Sequence, residues 1–139
     1  MMNTTGNAWV KLPLLLLLIY VGIVAVAESA LGYFQPSSGN TLVITTEDSD
    51  GGRHERVLSR LELNNQLFVA VNHWPRAWYW RVHQNPSVQV DLNGTKRNYL
   101  ALPATEEERQ SLNDQFGLSF GFRLVTGFPP RYFIRLEPV

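Results

Sequence analysis

The sequence predicts a mainly β domain of the α+β class, a six-stranded antiparallel barrel with flanking helices, carried behind an N-terminal transmembrane helix. Three observations predict it. Residues 12–27 form an uncharged run with no polar face, which no solvent-facing helix tolerates. Six short stretches of alternating or β-branched residues follow. Hairpin turns join most of them and only one helical crossover intervenes, which favours an antiparallel barrel over a parallel sheet.

The 139 residues leave room for one domain and one accessory segment, divided as 1–34 (membrane anchor), 35–40 (linker) and 41–139 (barrel). Twelve basic and twelve acidic residues cancel, so no basic field would draw the chain to nucleic acid. The absence of cysteine excludes a disulfide framework, a thiolate nucleophile and a zinc ribbon.

In order, the apolar run at 12–27 follows Trp9 and Lys11 and precedes Glu28, and its neighbours extend it towards the ~20 residues that cross a bilayer. A retained single-pass anchor in the inner membrane is expected; Ala25-Val26-Ala27 also offers the small residues of a signal-cleavage site. Residues 35–40 (QPSSGN) have linker composition, and 41–46 (TLVITT) read as the first strand. The polar turn 47–52 leads to a second strand at 56–63, with Val57, Leu61 and Leu63 on one face and Arg60 and Glu62 on the other. Asn64-Asn65-Gln66 turns into a third strand, 67–71 (LFVAV), apolar enough to be covered on both faces. A helix follows from Pro75 to Gln84, with Trp78 and Val82 on one face and Trp80 nearly opposite. Strands at 87–92 and 96–102 flank Asn93-Gly94, a strong type I′ hairpin signal. Thr105 and Glu108 make a capping box for a helix at 106–116, the stretch 117–130 is apolar and punctuated by glycine, and 131–136 alternates on Tyr132, Ile134 and Leu136 as the last strand.

Among chemical motifs, Gly117-Leu118-Ser119-Phe120-Gly121 has the G-x-S-x-G pattern of a hydrolase elbow, but a helix precedes it and no histidine follows His83. His54, His73 and His83 lack metal-ligand spacing. The unusual concentration is Trp74, Trp78, Tyr79 and Trp80 with Arg76 and Arg81, which could hold a planar anionic ligand by stacking and charge; core and membrane-facing packing is the competing account of the same residues.

Thr45-Thr46 closing the first strand, the turn with Gly52 followed by Arg56, Pro75-Arg76-Ala77-Trp78-Tyr79, Asn85-Pro86-Ser87-Val88-Gln89-Val90, and the final strand from Tyr132 resemble the deazaflavin-dependent nitroreductase and quinone reductase family of split β-barrels, over about 70% of the chain. The resemblance implies a deazaflavin coenzyme, or less closely FMN, passing hydride to a hydrophobic acceptor such as a quinone. It implies a cofactor site at Gly52, Arg53, Arg56, Trp74, Arg76 and Trp78, with Arg56 on the anionic tail and Trp78 on or behind the ring. Trp80, Phe120, Phe122, Phe128 and Tyr132 are assigned to the substrate pocket, the glycine-punctuated segment Leu118 to Phe128 serving either as a lid or acceptor pocket that faces the bilayer or, equally, as part of the core. Partners implied are membrane lipid, a quinone-like acceptor and a second copy of the chain in a homodimer. The alternative is a non-catalytic barrel that binds a lipid, a quinone or a protein at the membrane. Two departures bear on this choice. The family's basic phosphate-holding turn reads Glu47-Asp48-Ser49-Asp50-Gly51-Gly52 here, and its N-G-G before the helix becomes Asn72-His73-Trp74. Lys11 and the amino terminus, as the only cations near the membrane, place the domain outside, whereas a deazaflavin or nicotinamide donor places it in the cytoplasm.

Overall fold

The computed structural model describes residues 8–34, 39–72 and 77–139; the start of the aromatic helix expected at Pro75, with Trp74 and Arg76, and most of the 35–40 linker lie outside the described residues. Six strands close into one antiparallel barrel in the order β1-β2-β3-β6-β5-β4. They are β1 (Thr41–Glu47), β2 (Arg53–Leu63), β3 (Gln66–Val71), β4 (Ser87–Leu92), β5 (Thr95–Pro103) and β6 (Tyr132–Pro138). Asn93 and Gly94, both at positive φ (53° and 84°), make the tight β4–β5 turn, and Asn64 and Asn65 do the same between β2 and β3 at 51° and 60°.

Strand β2 serves two neighbours in succession. It pairs with β1 from Arg53↔Glu47 to Ser59↔Thr41, and with β3 only from Arg60↔Val69 to Leu63↔Gln66. Asn40 holds the handover point, its carbonyl accepting from the Arg60 amide at 3.1 Å and its side-chain nitrogen donating to the Arg60 carbonyl at 3.0 Å. Beyond that point β3 continues along β6, so the segments 56–59 and 70–72 part and leave a split in the wall.

The interior is packed by Leu42, Ile44, Leu58, Val69, Val90, Ile134 and Leu136. Helix α2 (Ala77–Gln84) plugs one end with Trp78, Tyr79 and Val82, and Trp80 points away, 56% exposed, as its helical position requires. The inward face of β2 differs from the sequence expectation. Leu58 enters the barrel, while Leu61 and Leu63 pack outside with Phe68 and Phe133. The reason is α3 (Glu106–Gln115), which drives Leu112 into that outer cluster and gives β2 a second buried face. The Thr105–Glu108 capping box is formed, worth about 1 kcal/mol as such caps go. Arg135 Nη1 donates to Glu108 at 2.7 Å and ties the helix to β6.

The apolar stretch after α3 holds a further helix, α4 (Phe120–Val125), unmarked in the sequence because six residues are too short for a period. Ser119, the serine of the hydrolase-like pattern, is its N-cap and accepts from the Phe122 amide at 3.2 Å. Its end is a Schellman closure, with Phe128 N donating to Arg123 O at 2.8 Å and Gly127 N to Leu124 O at 3.3 Å.

The N-terminal helix α1 runs Ala8–Tyr33, and its span Trp9–Tyr33 is long and apolar enough to cross a membrane. Tyr20, Val24, Ala27, Glu28 and Leu31, spaced to fall on one side, form its less exposed stripe. Tyr20 donates its hydroxyl to Leu124 O at 2.9 Å. At Gly127 (φ +75°) an added Cβ would lie 2.9 Å from Val24 Cγ1. Gly127→Ala should therefore combine a left-handed backbone penalty of about 1–2 kcal/mol with a clash. Thermal unfolding of the full chain in detergent should show a clear loss, smaller when Val24→Ala is also present; wild-type stability in Gly127→Ala would refute this packing.

Candidate functional site

Two clefts meet at Arg56 and Trp78. The first, about 240 Å³, opens where β2 and β3 part and is lined by Leu31, Phe34, Arg56, Asn72, Trp78 and Phe122, among others. The second, about 300 Å³, lies on the other side of the same two residues, with Gly32, His54, Glu55 and Arg81. Each alone is at or below the ~300–1,000 Å³ of ordinary small-ligand sites, and the two form a divided trough with Arg56 and Trp78 as the common wall. The polypeptide builds it from three directions. Arg56 is opposite Ile44 on β1, α2 brings Trp78 and Arg81, and the end of α1 crosses above, where Gly32 O accepts from Arg56 Nη1 at 3.1 Å. Arg81 is steadied by Nε donating to Thr46 Oγ1 at 2.9 Å.

The trough thus gathers Arg56, Trp78 and Phe122 from the assigned residues. Arg53 reaches the opposite side of β1, donating to Gln89 Oε1 at 3.3 Å, and lines neither cleft. Tyr132 stacks on Tyr79, ring centroids 5.3 Å apart, and packs against the barrel core. Trp80 lines neither cleft. Phe120 packs edge-on against Phe128, and Phe128 lines a separate hollow. Arg81, which the sequence shows only as a cation flanking the aromatic residues, and the end of α1, which it does not connect with the site, both belong to it. Helical spacing from Trp78 could have found Arg81; nothing in the sequence signalled that α1 folds back over β2.

Gly52 sits in the turn where the resemblance expects a phosphate. Here Asp48 turns its carboxylate inward. Oδ1 accepts from Gly52 N at 2.7 Å and Asp50 N at 3.1 Å, and Oδ2 lies 2.7 Å from His54 Nε2. A Cβ at Gly52 would stand 2.7 Å from that carboxylate, so the glycine accommodates an internal anion. These amides are the groups that would otherwise hold a phosphate, and they are taken. A tail phosphate therefore does not fit the turn, whereas Arg56, Arg81 and Trp78 do fit a planar, anionic ring system. His54, followed by the Gly52 amide, holds the Asp48 carboxyl below its ordinary value of 3.8. Because the folded value is depressed, the clasp is complete above pH 3.8 and is lost as pH falls through the lower folded value. The Gly52 amide resonance should accordingly titrate with a midpoint below 3.8, and a midpoint at or above it would show that Asp48 does not close the turn.

No family model matches the sequence, and no curated protein is similar to it. Solved structures are. An F420-H2-dependent reductase superposes with a TM-score of 0.58 at 18% identity, over 71% of this chain and 95% of its own. A protein described as a domain-swapped dimer gives 0.59 at 17%, over 72% and 81%. The haem storage protein HutZ from Vibrio cholerae gives 0.51 at 17%, over 72% and 82%. The chain therefore has the split β-barrel fold that this F420-H2-dependent reductase also has.

Proposed function

We propose that the chain is a membrane-anchored oxidoreductase that binds a deazaflavin coenzyme, or FMN as the second candidate, and reduces a hydrophobic quinone-like acceptor. The observation that carries this is the trough in which Arg56, Arg81 and Trp78 converge beside the end of an apolar helix. Bound there, the reduced coenzyme supplies a hydride; a proton from water completes the two-electron reduction of a quinone to its hydroquinone. The chain's own part is to orient. Trp78 offers a ring face, Arg56 and Arg81 offer charge, and Phe122, Leu31 and Phe34 offer an apolar wall by which an acceptor could arrive from lipid. The shared fold with an F420-H2-dependent reductase supports the reading. A homodimer belongs to it, supported by the neighbour described as domain-swapped.

A second reading, a non-catalytic barrel that binds a lipid, quinone or protein, is favoured by one observation, the filling of the phosphate turn by Asp48. Spectroscopic titration of the full chain with deazaflavin coenzyme and with FMN separates the two. Binding below about 100 μM that Arg56→Gln weakens by about tenfold, a loss of about 1.4 kcal/mol, supports the enzyme; no binding of either leaves the module.

On the redox reading the domain faces the cytoplasm, where the reductant is made. Alkaline phosphatase and a fluorescent protein fused in turn to Val139 should give an inactive phosphatase fusion and a bright fluorescent one. The reverse pattern would put the barrel outside and remove the redox reading.

A further inference from the structure

The hollow between α3, α4 and β6 is distinct from the trough and unlike it in character. It is about 500 Å³, and Asn72, Asn113, Leu118, Arg123, Phe128 and Arg131 line it together with small and cyclic residues; no carboxylate does. Arg131 is the centre. Its Nε donates to Asn72 Oδ1 at 2.8 Å, its Nη1 to Asn113 Oδ1 at 3.1 Å, and its guanidinium lies 4.6 Å over the Phe133 ring. Two of five donors are used on neutral oxygens, and neither Arg131 nor Arg123 has an acidic partner among the described residues. Burial pulls the Arg131 pKa down from its ordinary value, the mark of a charge that the fold desolvates without neutralising. Both asparagines accept through oxygen, which leaves their amide nitrogens as further donors.

The apolar side of the hollow continues onto α4, where Phe120 is 70% exposed and Leu124, Val125 and Phe128 are exposed beside it. Beside this face, the Leu124 carbonyl and Gly127 lie against α1 at Tyr20 and Val24. From Trp9 to Ile19 is 11 residues, about 17 Å at 1.5 Å per residue, against a hydrocarbon layer of about 30 Å. If α1 crosses the bilayer, α4 must therefore sink into the near leaflet. Its last carbonyls suit that depth, since Phe122 O, Arg123 O and Leu124 O all accept from Thr126 Oγ1, backbone amides or the Tyr20 hydroxyl.

We propose that the Arg123–Arg131 hollow binds the phosphate of an anionic phospholipid, with the acyl chains lying along α4 and α1. The proposal rests on the membrane reading above but not on the coenzyme. A glycerol headgroup leaves the phosphate as the sole charge, whereas choline would bring an ammonium against two arginines. Native mass spectrometry of the full chain released from nonionic detergent should retain phosphatidylglycerol at least tenfold over phosphatidylcholine, and Arg131→Gln and Arg123→Gln should each reduce retention about tenfold. Arg123 is exposed, so Arg123→Gln carries the test should Arg131→Gln fail to fold. Equal retention of the two lipids, retention unchanged by Arg123→Gln, or displacement by inorganic phosphate at equal concentration would overturn it, the last by making a free anion the ligand. Because binding is read in micelles, a wrong topology of the anchor and an empty hollow give different results.

Discussion

The handover of β2 from β1 to β3 at Ser59 and Arg60 is the constraint on which the site depends. A six-stranded barrel of this size has no room inside, since Ile44, Val69 and Val90 are fully buried in one core cluster that fills it. A ligand must therefore use a place where the wall opens. An eleven-residue strand with a tight Asn64-Asn65 turn at one end can satisfy β3 only near that turn, and the remainder is committed to β1. The opening that results is where Trp78, the end of α1 and Phe122 converge. Asn40 pins the pivot through both its backbone and its side chain, which is why the split is a fixed feature and not a frayed edge.

What was legible in the sequence follows from what generates a period. The strands, the Asn93-Gly94 hairpin, the capped α3 and the burial of Trp78 and Val82 on α2 are local in origin, and each was readable from spacing and turn chemistry. The outer face of β2 was not, because Leu61 and Leu63 are covered by α3, more than forty residues later in the chain. Helix α4 escaped for the opposite reason: it is too short to repeat, and its cap is a serine that also fits a hydrolase pattern. The site was legible only in part. Arg56 and Trp78 are brought together, but Arg53 turns to Gln89 instead, because β2 begins at Arg53, three residues earlier than the sequence indicated.

Asp48 and Arg131 are mirror cases of one electrostatic rule. A carboxylate among backbone amides with His54 is a satisfied charge, and the groups around it have no capacity left for another anion. A guanidinium held by two amide oxygens and an aromatic ring is oriented but not neutralised, so it retains capacity for one. The chain has in effect closed the anion site that the resemblance leads one to expect and kept another open on the far side of Asn72, a residue that lines both the trough and the hollow.

That shared residue gives the two cavities a physical connection. Asn72 directly follows β3 where the wall splits, and its Oδ1 fixes Arg131. Any anion that draws the guanidinium further into the hollow would pull on this hydrogen bond and so on the rim of the trough near Arg56 and Trp78. Helix α1 runs alongside both, touching α4 through Tyr20, lying beside Gly127 just after it through Val24, and reaching over Arg56 at Gly32. The seat of α4 and the roof over Arg56 are therefore both built by one side of α1, from Tyr20 to Gly32, which the sequence alone presents as an undifferentiated hydrophobic segment.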